Sequence, residues 1–547
     1  MKLLQESQFF LLAFLLLLLH VATGEKDPVS FEESAYEMPP TGQTIPQETL
    51  DLISTSNRFY HSKYRTLCQP SQIHLSLGDR SKDINPSSTG MHLSFSIPNR
   101  ITQECHPDQI QIEVQYGLVQ SDVYSSFLIH ENDENVHIKQ YSYTSPFAMM
   151  ETYDSDFQYH VAIHDLDFDS NYWYDFNVLK LSGKQLDSSS SIMVPQTKRY
   201  LRSVHQNKAK KIFRTAPKPG STKPVKFAIV GDLGQTYNST TTMLNMLSTL
   251  QDEDPPTALL IAGDMSYANT IQQEWDNWFN LMEPITQKIP MMVAAGNHEI
   301  ECDAKGNHLP FTAYENRFWM PNRLGDAVLK PVEESKSDYV KVWTACATPS
   351  VFEGQYDFGN AFYSFEYGMV KTIVLSSYSQ THKRSEQYKW LKSELIKVNQ
   401  DRKRTPWLVV MMHTQFYTTF KAHNDEKQTI DMKDSMEELF LHYKVNIVIS
   451  GHDHAYMRTF GMYNGLRVKD GCAPVYLIVG EGGNREEHVK SYLNPKKEDW
   501  VAIRDRSVYG FGTLEVSNST AARWTWNMGG KSVGFRDDVW LQNQYHL

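Results

Sequence analysis

The chain has 547 residues, of which 40% are hydrophobic, 21% charged and 12% aromatic, and its formal net charge is -11. That length exceeds a single hydrophobic core and fits about three to four domains, and the composition excludes fibrous and disordered classes. The acidic balance argues against nucleic acid as a partner, since gripping a phosphate backbone needs a basic surface; a local anion site built on metals stays open.

Taken in order, the chain begins with a targeting segment. Lys2 precedes an apolar run from Phe9 to Leu19, and Ala22-Thr23-Gly24 supplies small residues for cleavage, so residues 1–24 read as a signal peptide. The run is too short to span a bilayer comfortably, and no later stretch is long and apolar enough to do so. The expectation is a chain that is secreted or held in an acidic compartment of the secretory pathway, with no membrane association after cleavage. Residues 25–87 are polar and irregular.

From 88 to 217 the period is that of strands. MHLSFSI, IQIEVQYG, YHVAIHDL and NYWYDFNVL alternate apolar and polar residues, and KIFRTAP closes the series before the linker Ala216-Pro217-Lys218-Pro219-Gly220. This predicts a small β-sandwich. The basic cluster Lys198, Arg199, Arg202, Lys208, Lys210 and Lys211 in its last hairpin reads as a solvated loop.

From 225 to 547 strands alternate with helices, which predicts an α/β domain of sheets covered by helices. Amphipathic runs at Thr241 to Leu250, Glu386 to Val398 and Met432 to Tyr443 are the predicted helices. The stretch from Pro310 to Phe362 has no clear period and reads as an inserted loop beside the site. Cys68, Cys105, Cys302, Cys346 and Cys472 show no zinc-finger spacing, and their odd number leaves one thiol free or open to an intermolecular bond. Cys346 could join Cys302 or a second subunit, which keeps a homodimer open. Asn238-Ser239-Thr240 and Asn518-Ser519-Thr520 are glycosylation acceptors.

Five apolar runs in this region each end in a polar cluster: KFAIVGDLG, ALLIAGDMSY, MMVAAGNHE, WLVVMMH and NIVISGHDH. Each reads as a buried strand that stops abruptly and delivers Asp, Asn, Tyr or His into a loop, and in such folds ligands gather beyond the carboxyl ends of the strands. A lone Gly-Asp after a strand is more often a turn than a ligand. Clustered His and Asn after buried runs would be costly to bury without partners, however, and five such blocks in one order point to a metal pair. Asp232, Asp264, Tyr267, Asn297, His413, His452 and His454 offer oxygen and imidazole donors only, which favours iron, zinc or manganese. Asp264 can bridge two ions, and the phenolate of Tyr267 suits a ferric one.

GDLG, GDMSY, GNHE, VMMH and GHDH resemble the five-block signature of the purple acid phosphatases, within the wider metallophosphoesterases. YHVAIHDLDFDSNYWYDF and FRTAP are similar to the fibronectin-like N-terminal domain of the larger plant-type members. IVLSSYS, QYKWLKSELIKVN, PVYLIVGEGGN and VYGFG are similar to their catalytic domain. The resemblance implies a two-domain α+β protein, a fibronectin-III-like β-sandwich followed by a metallophosphoesterase α/β sandwich of two sheets covered by helices. It also implies an acid phosphatase acting on small-molecule phosphate monoesters.

By the same resemblance Asp232, Tyr267 and His454 hold Fe(III), Asn297, His413 and His452 hold Zn(II), Mn(II) or Fe(II), and Asp264 bridges. His298 and His423 are implied as the catalytic histidines that contact phosphate and protonate the leaving alcohol, with a metal-bound hydroxide as nucleophile. The neighbourhood of His423, KAHNDE, departs from the family's wording, and the segment Leu324 to Gly354 is longer than the plant-type pattern. A phosphodiesterase or nucleotide pyrophosphatase would use the same metals with different loops. A secreted binding protein without catalysis fits poorly with a complete ligand set. GEGGNR, Gly480 to Arg485, lacks the spacing of a dinucleotide motif and reads as a turn after a strand.

Overall fold

The computed structural model describes residues 68–78, 88–99, 105–145, 152–180, 210–301, 311–321, 356–528 and 535–546. The signal peptide, most of the basic cluster, Cys302, Cys346 and the segment Leu324 to Gly354 lie outside the described residues. The N-terminal strands are β1 (Ser71–Leu77), β2 (Ser88–Ile97), β3 (Ile110–Leu118), β4 (Ser125–Leu128), β5 (Val136–Lys139), β6 (Ser142–Tyr143), β7 (Tyr153–Asp154), β8 (Phe157–Asp167), β9 (Asn171–Lys180) and β10 (Lys211–Arg214). They form two four-stranded antiparallel sheets, ordered β1-β2-β8-β5 and β10-β9-β3-β4, with β6 and β7 as a separate ribbon.

β1 corrects one expectation, because it lies inside the stretch read as irregular. Its polar residues Gln72, His74 and Ser76 are buried as fully as its apolar ones, since both faces are covered. Ile73, Leu75 and Leu77 join the main core, whereas His74 packs on Phe279 and Phe318 and the Ser76 hydroxyl donates to the Trp319 carbonyl. The same strand bridges Leu75 to Pro290. A disulfide joins Cys68 to Cys105 across 37 residues, a pairing the spacing left undecided. Closing a loop of that length removes roughly 3 to 4 kcal/mol of chain entropy from the unfolded state.

The second region contributes β11 (Val225–Val230), β12 (Ala258–Ile261), β13 (Met291–Val293), β14 (Tyr363–Tyr367), β15 (Val370–Val374), β16 (Trp407–Met411), β17 (Ile447–Ser450), β18 (Tyr456–Tyr463), β19 (Leu466–Arg467), β20 (Val475–Val479), β21 (Val501–Asp505), β22 (Gly510–Val516), β23 (Ala521–Met528) and β24 (Phe535–Gln542). Its helices are α1 (Tyr237–Thr249), α2 (Gln273–Thr286), α3 (Thr312–Arg317), α4 (Glu386–Gln400) and α5 (Lys427–His442). One sheet runs β13-β12-β11-β22-β23-β24, the other β14-β15-β16-β17-β20-β18-β19 with β21 beside β18. β11 to β13 are parallel, as are β15, β16, β17 and β20. Strands covered on both faces read as continuous apolar runs, and the alternation within them still sorts the layers. Val409 and Met411 pack into the core shared with the first sheet, while Leu408, Val410 and Met412 pack with Leu391 and Leu395 of α4 and Met432 and Phe440 of α5.

Three predicted helices are present with longer N-termini or C-termini. α1 starts at Tyr237 because Thr236 closes a capping box with Ser239. α5 starts at Lys427, where Glu426 makes no side-chain cap; its carboxylate is engaged by two histidines instead. α2 has no counterpart among the predicted helices, although Trp275, Trp278, Phe279, Met282 and Ile285 lie on one buried face at helical spacing.

At the joint between the β-sandwich and α2, Arg317 is fully buried. Its guanidinium donates to the Tyr141 and Tyr153 hydroxyls at 2.8 Å each and pairs with Asp276 at 2.9 Å. Removing one partner of such a network strands the others in a dry environment. Arg317→Ala is expected to cost roughly 3 to 5 kcal/mol of stability in urea unfolding; a change below 1 kcal/mol would remove the joint from this role.

Candidate metal centre

Every sequence-predicted ligand stands just past the end of a parallel strand: Asp232 after β11, Asp264 and Tyr267 after β12, Asn297 after β13, His413 after β16, and His452 and His454 after β17. Asp232, Asp264, Tyr267 and His452 all adopt left-handed backbone, with φ of 55°, 50°, 55° and 69°. Such conformations cost about 1 to 2 kcal/mol each for non-glycine residues and persist only where the surroundings fix them. The glycine ahead of a ligand makes room: a Cβ on Gly296 would lie 2.1 Å from Asp264 Oδ1, and one on Gly451 2.2 Å from Asp232 Oδ2.

The side chains converge in two groups. In the first, Tyr267 Oη lies 2.9 Å from His454 Nε2 and 3.4 Å from Asp232 Oδ1, with His454 Nε2 3.5 Å from the same carboxylate oxygen. In the second, His413 Nε2 faces Asn297 Oδ1 at 3.0 Å, His452 Nδ1 at 3.2 Å and Asp264 Oδ2 at 3.2 Å. All are buried.

The outer ring nitrogens reveal what this convergence requires. His413 Nδ1 is taken by the Ala262 carbonyl at 2.8 Å, His454 Nδ1 by the Glu487 carbonyl at 3.0 Å, and His452 Nε2 by the Glu426 carboxylate at 2.8 Å. Each partner is an acceptor, so each histidine spends its N–H outward and points a lone pair inward, the tautomer of a metal ligand. Lone pairs of imidazole, amide and carboxylate then face one another at hydrogen-bond distance, an arrangement that fits cations. The electrostatics ask for positive charge at the same point. Burial disfavours a charge on His413, yet the facing Asp264 outweighs it and raises the ring's pKa to about 10, so with no cation between them a proton on Nε2 would take that place. Burial drives the Tyr267 phenol far above its ordinary range, with Asp232 and Asp264 adding to the effect, so a phenolate there needs a strong positive charge beside it.

Both expected catalytic histidines flank this cluster. His298 lies against the Tyr267 ring at 4.0 Å between centroids, its Nδ1 2.6 Å from Asn269 Oδ1 and its Nε2 3.5 Å from Glu486 and 3.9 Å from Asp264. His423 packs 3.8 Å from the His452 ring, with Nδ1 2.7 Å from Glu426 Oε1. Burial lowers the His423 pKa, but the hydrogen bond to Glu426 and the charge of Asp453 raise it further, so the net direction is up.

The residues that support these ligands lie outside the predicted set. Glu299 is fully buried; it accepts from the backbone N–H of Asp264 at 2.9 Å, Gly296 at 2.7 Å and Met265 at 3.0 Å. It thereby fixes the strained turn that presents Asp264. Its position two residues after Asn297, in GNHE, was the available signal. Glu426, by holding both His423 and His452, had none. Asn484, in the turn after β20, donates to the Asp232 carbonyl at 3.0 Å, so the glycine-rich turn is a support of this centre.

A family model described as calcineurin-like phosphoesterase matches residues 225–456, and one described as iron/zinc purple acid phosphatase-like protein C matches residues 473–535. The chain is 37% identical over 332 residues to purple acid phosphatase 22 of Arabidopsis thaliana, spanning 60% of this chain and 66% of that protein. It is 31% identical over 409 residues to the Fe(3+)-Zn(2+) purple acid phosphatase 12 of the same plant, spanning 72% of this chain and 73% of that protein. Among solved structures, purple acid phosphatase PPD1 from yellow lupin seeds superposes with a TM-score of 0.64 at 18% identity, covering 87% of this chain and 75% of that one; at that identity the likeness speaks for the fold.

Supports of this kind usually change metal affinity by about 10- to 100-fold. Glu299→Ala is expected to lower bound metal per chain by that order in metal analysis after dialysis. Full metal content in the variant would limit Glu299 to a folding role.

Proposed function

This chain belongs to the purple acid phosphatase family, and on that premise we propose that it hydrolyses small-molecule phosphate monoesters at acid pH with a Fe(III) ion and a divalent zinc, manganese or iron ion. The single observation that carries the reading is the outward commitment of all three histidine N–H groups, which leaves lone pairs facing buried carboxylates. Asp232, Tyr267 and His454 would hold the ferric ion, Asn297, His413 and His452 the divalent one, with Asp264 between them. When bound, such a pair offsets charge on the phosphate oxygens and acidifies a water for in-line displacement.

The chain's own groups supply the rest. His298 stands beside Tyr267 and His423 beside His452, where one can donate to a phosphate oxygen and the other to the leaving alcohol. Asn269 orients the His298 ring, and Glu426 holds a proton on His423. A donor of this kind contributes when protonated, which favours mildly acidic conditions. The signal-like pattern of residues 1–24 supports secretion or an acidic secretory compartment, and the exposed turn at Asn518 supports glycosylation there.

Two measurements test this reading. Purified protein should contain about one iron and one divalent ion per chain and absorb broadly in the green to yellow-green, and Tyr267→Phe should abolish the band. At pH 5, with p-nitrophenyl phosphate, Asp264→Ala should abolish turnover and His298→Ala should lower kcat by roughly 100- to 10,000-fold. Retained activity in Asp264→Ala would reject the assignment.

A further inference from the structure

Behind the turn that follows β20 lies a cavity of about 790 Å³ whose lining includes Arg485, Lys490, Arg506, Asn484, Ser507 and Tyr509. Its three cations oppose one lining carboxylate, Glu487, which leaves two net positive charges on a chain whose overall charge is -11. None of the three makes an ion pair among the described residues. Arg506 donates to the Val489 carbonyl at 3.2 Å, and Arg485 lies near enough to Glu274 to lower its pKa against the larger effect of burial. The wall is built rather than loose: His488 stacks on Tyr509 at 4.0 Å and holds buried Glu481 at 2.6 Å.

One loop separates this cavity from the metal centre. Arg485 and Glu487 line the cavity, while Glu486 between them reaches to 3.5 Å from His298 Nε2. Asn484 lines the cavity and also donates to the Asp232 carbonyl, and the Glu487 carbonyl orients His454. Consecutive residues are about 3.8 Å apart along the chain, so the segment from Asn484 to Glu487 borders the cavity and the metal centre at once. Guanidinium and ammonium groups that make no ion pair among the described residues, beside hydroxyl and amide donors, suit a phosphate, which accepts several charge-assisted hydrogen bonds.

We propose that this cavity is a second phosphate subsite, so that the chain prefers small substrates carrying two or more phosphates, one at the metal centre and another held by Arg485, Lys490 and Arg506. The proposal rests on the phosphatase reading above. The holoenzyme is assayed on fructose 1,6-bisphosphate and on each of its two monophosphates. A preference of at least about tenfold in kcat/KM is expected for the bisphosphate, the order given by one pair of charge-assisted contacts, and Arg485→Gln/Arg506→Gln should reduce it to about the twofold set by having two phosphates to cleave. Lys490→Gln alone should reduce it part of the way. A wild-type ratio near two, or equal losses on mono- and bisphosphate in the double variant, overturns the subsite while leaving the phosphatase reading intact. Hydrolysis of neither substrate class overturns the phosphatase reading, and the subsite falls with it.

Discussion

Two fully buried carboxylates, Asp232 and Asp264, sit among imidazoles whose N–H groups are all turned away from them, and the catalytic region depends on this constraint. Burying a carboxylate is costly unless hydrogen bonds or positive charge compensate. Here backbone N–H groups supply part: His452 N–H donates to Asp232 and His298 N–H to Asp264. The rest is left for cations. The preceding glycines, the left-handed turns and the outward tautomers are separate local features that all serve that one electrostatic requirement.

The same requirement couples the two sheets. Asp232, Asp264, Tyr267 and Asn297 come from ends of the six-stranded sheet, His413, His452 and His454 from the eight-stranded one. An ion held by both groups would tie the layers at the edge where their apolar cores stop. The β-sandwich docks through β1 and the Arg317 network, whose residues are not among the groups that converge at the site.

The loop after β20 serves both sides. Its Asn484 and Glu487 hold backbone and ligand geometry at the metal centre, and its Arg485 faces away into a basic cavity. A short segment with a rigid task on one face leaves the other face free to vary in charge, which is how loops on a fixed scaffold set substrate preference.

Much of this protein was legible in the linear chain. Buried strands of a two-layer α/β fold must be apolar along their whole length, so a polar cluster straight after such a run marks a strand end; that rule located Asp232, Asp264, Tyr267, Asn297, His413, His452 and His454. Other features were not local. β1 failed to read as a strand because its polar residues are covered by a second region far away in sequence, and α2 escaped although its aromatic face was periodic. The partnership of Cys68 with Cys105, the grip of Glu299 on three backbone N–H groups and the span of Glu426 across His423 and His452 join positions whose types admit many partners. Residue type and order determined which chemistry the chain can carry, because burial acts on each run by itself. Only the tertiary structure decided tautomer, support and the neighbouring cavity, because those depend on distances between segments that the chain's order does not contain.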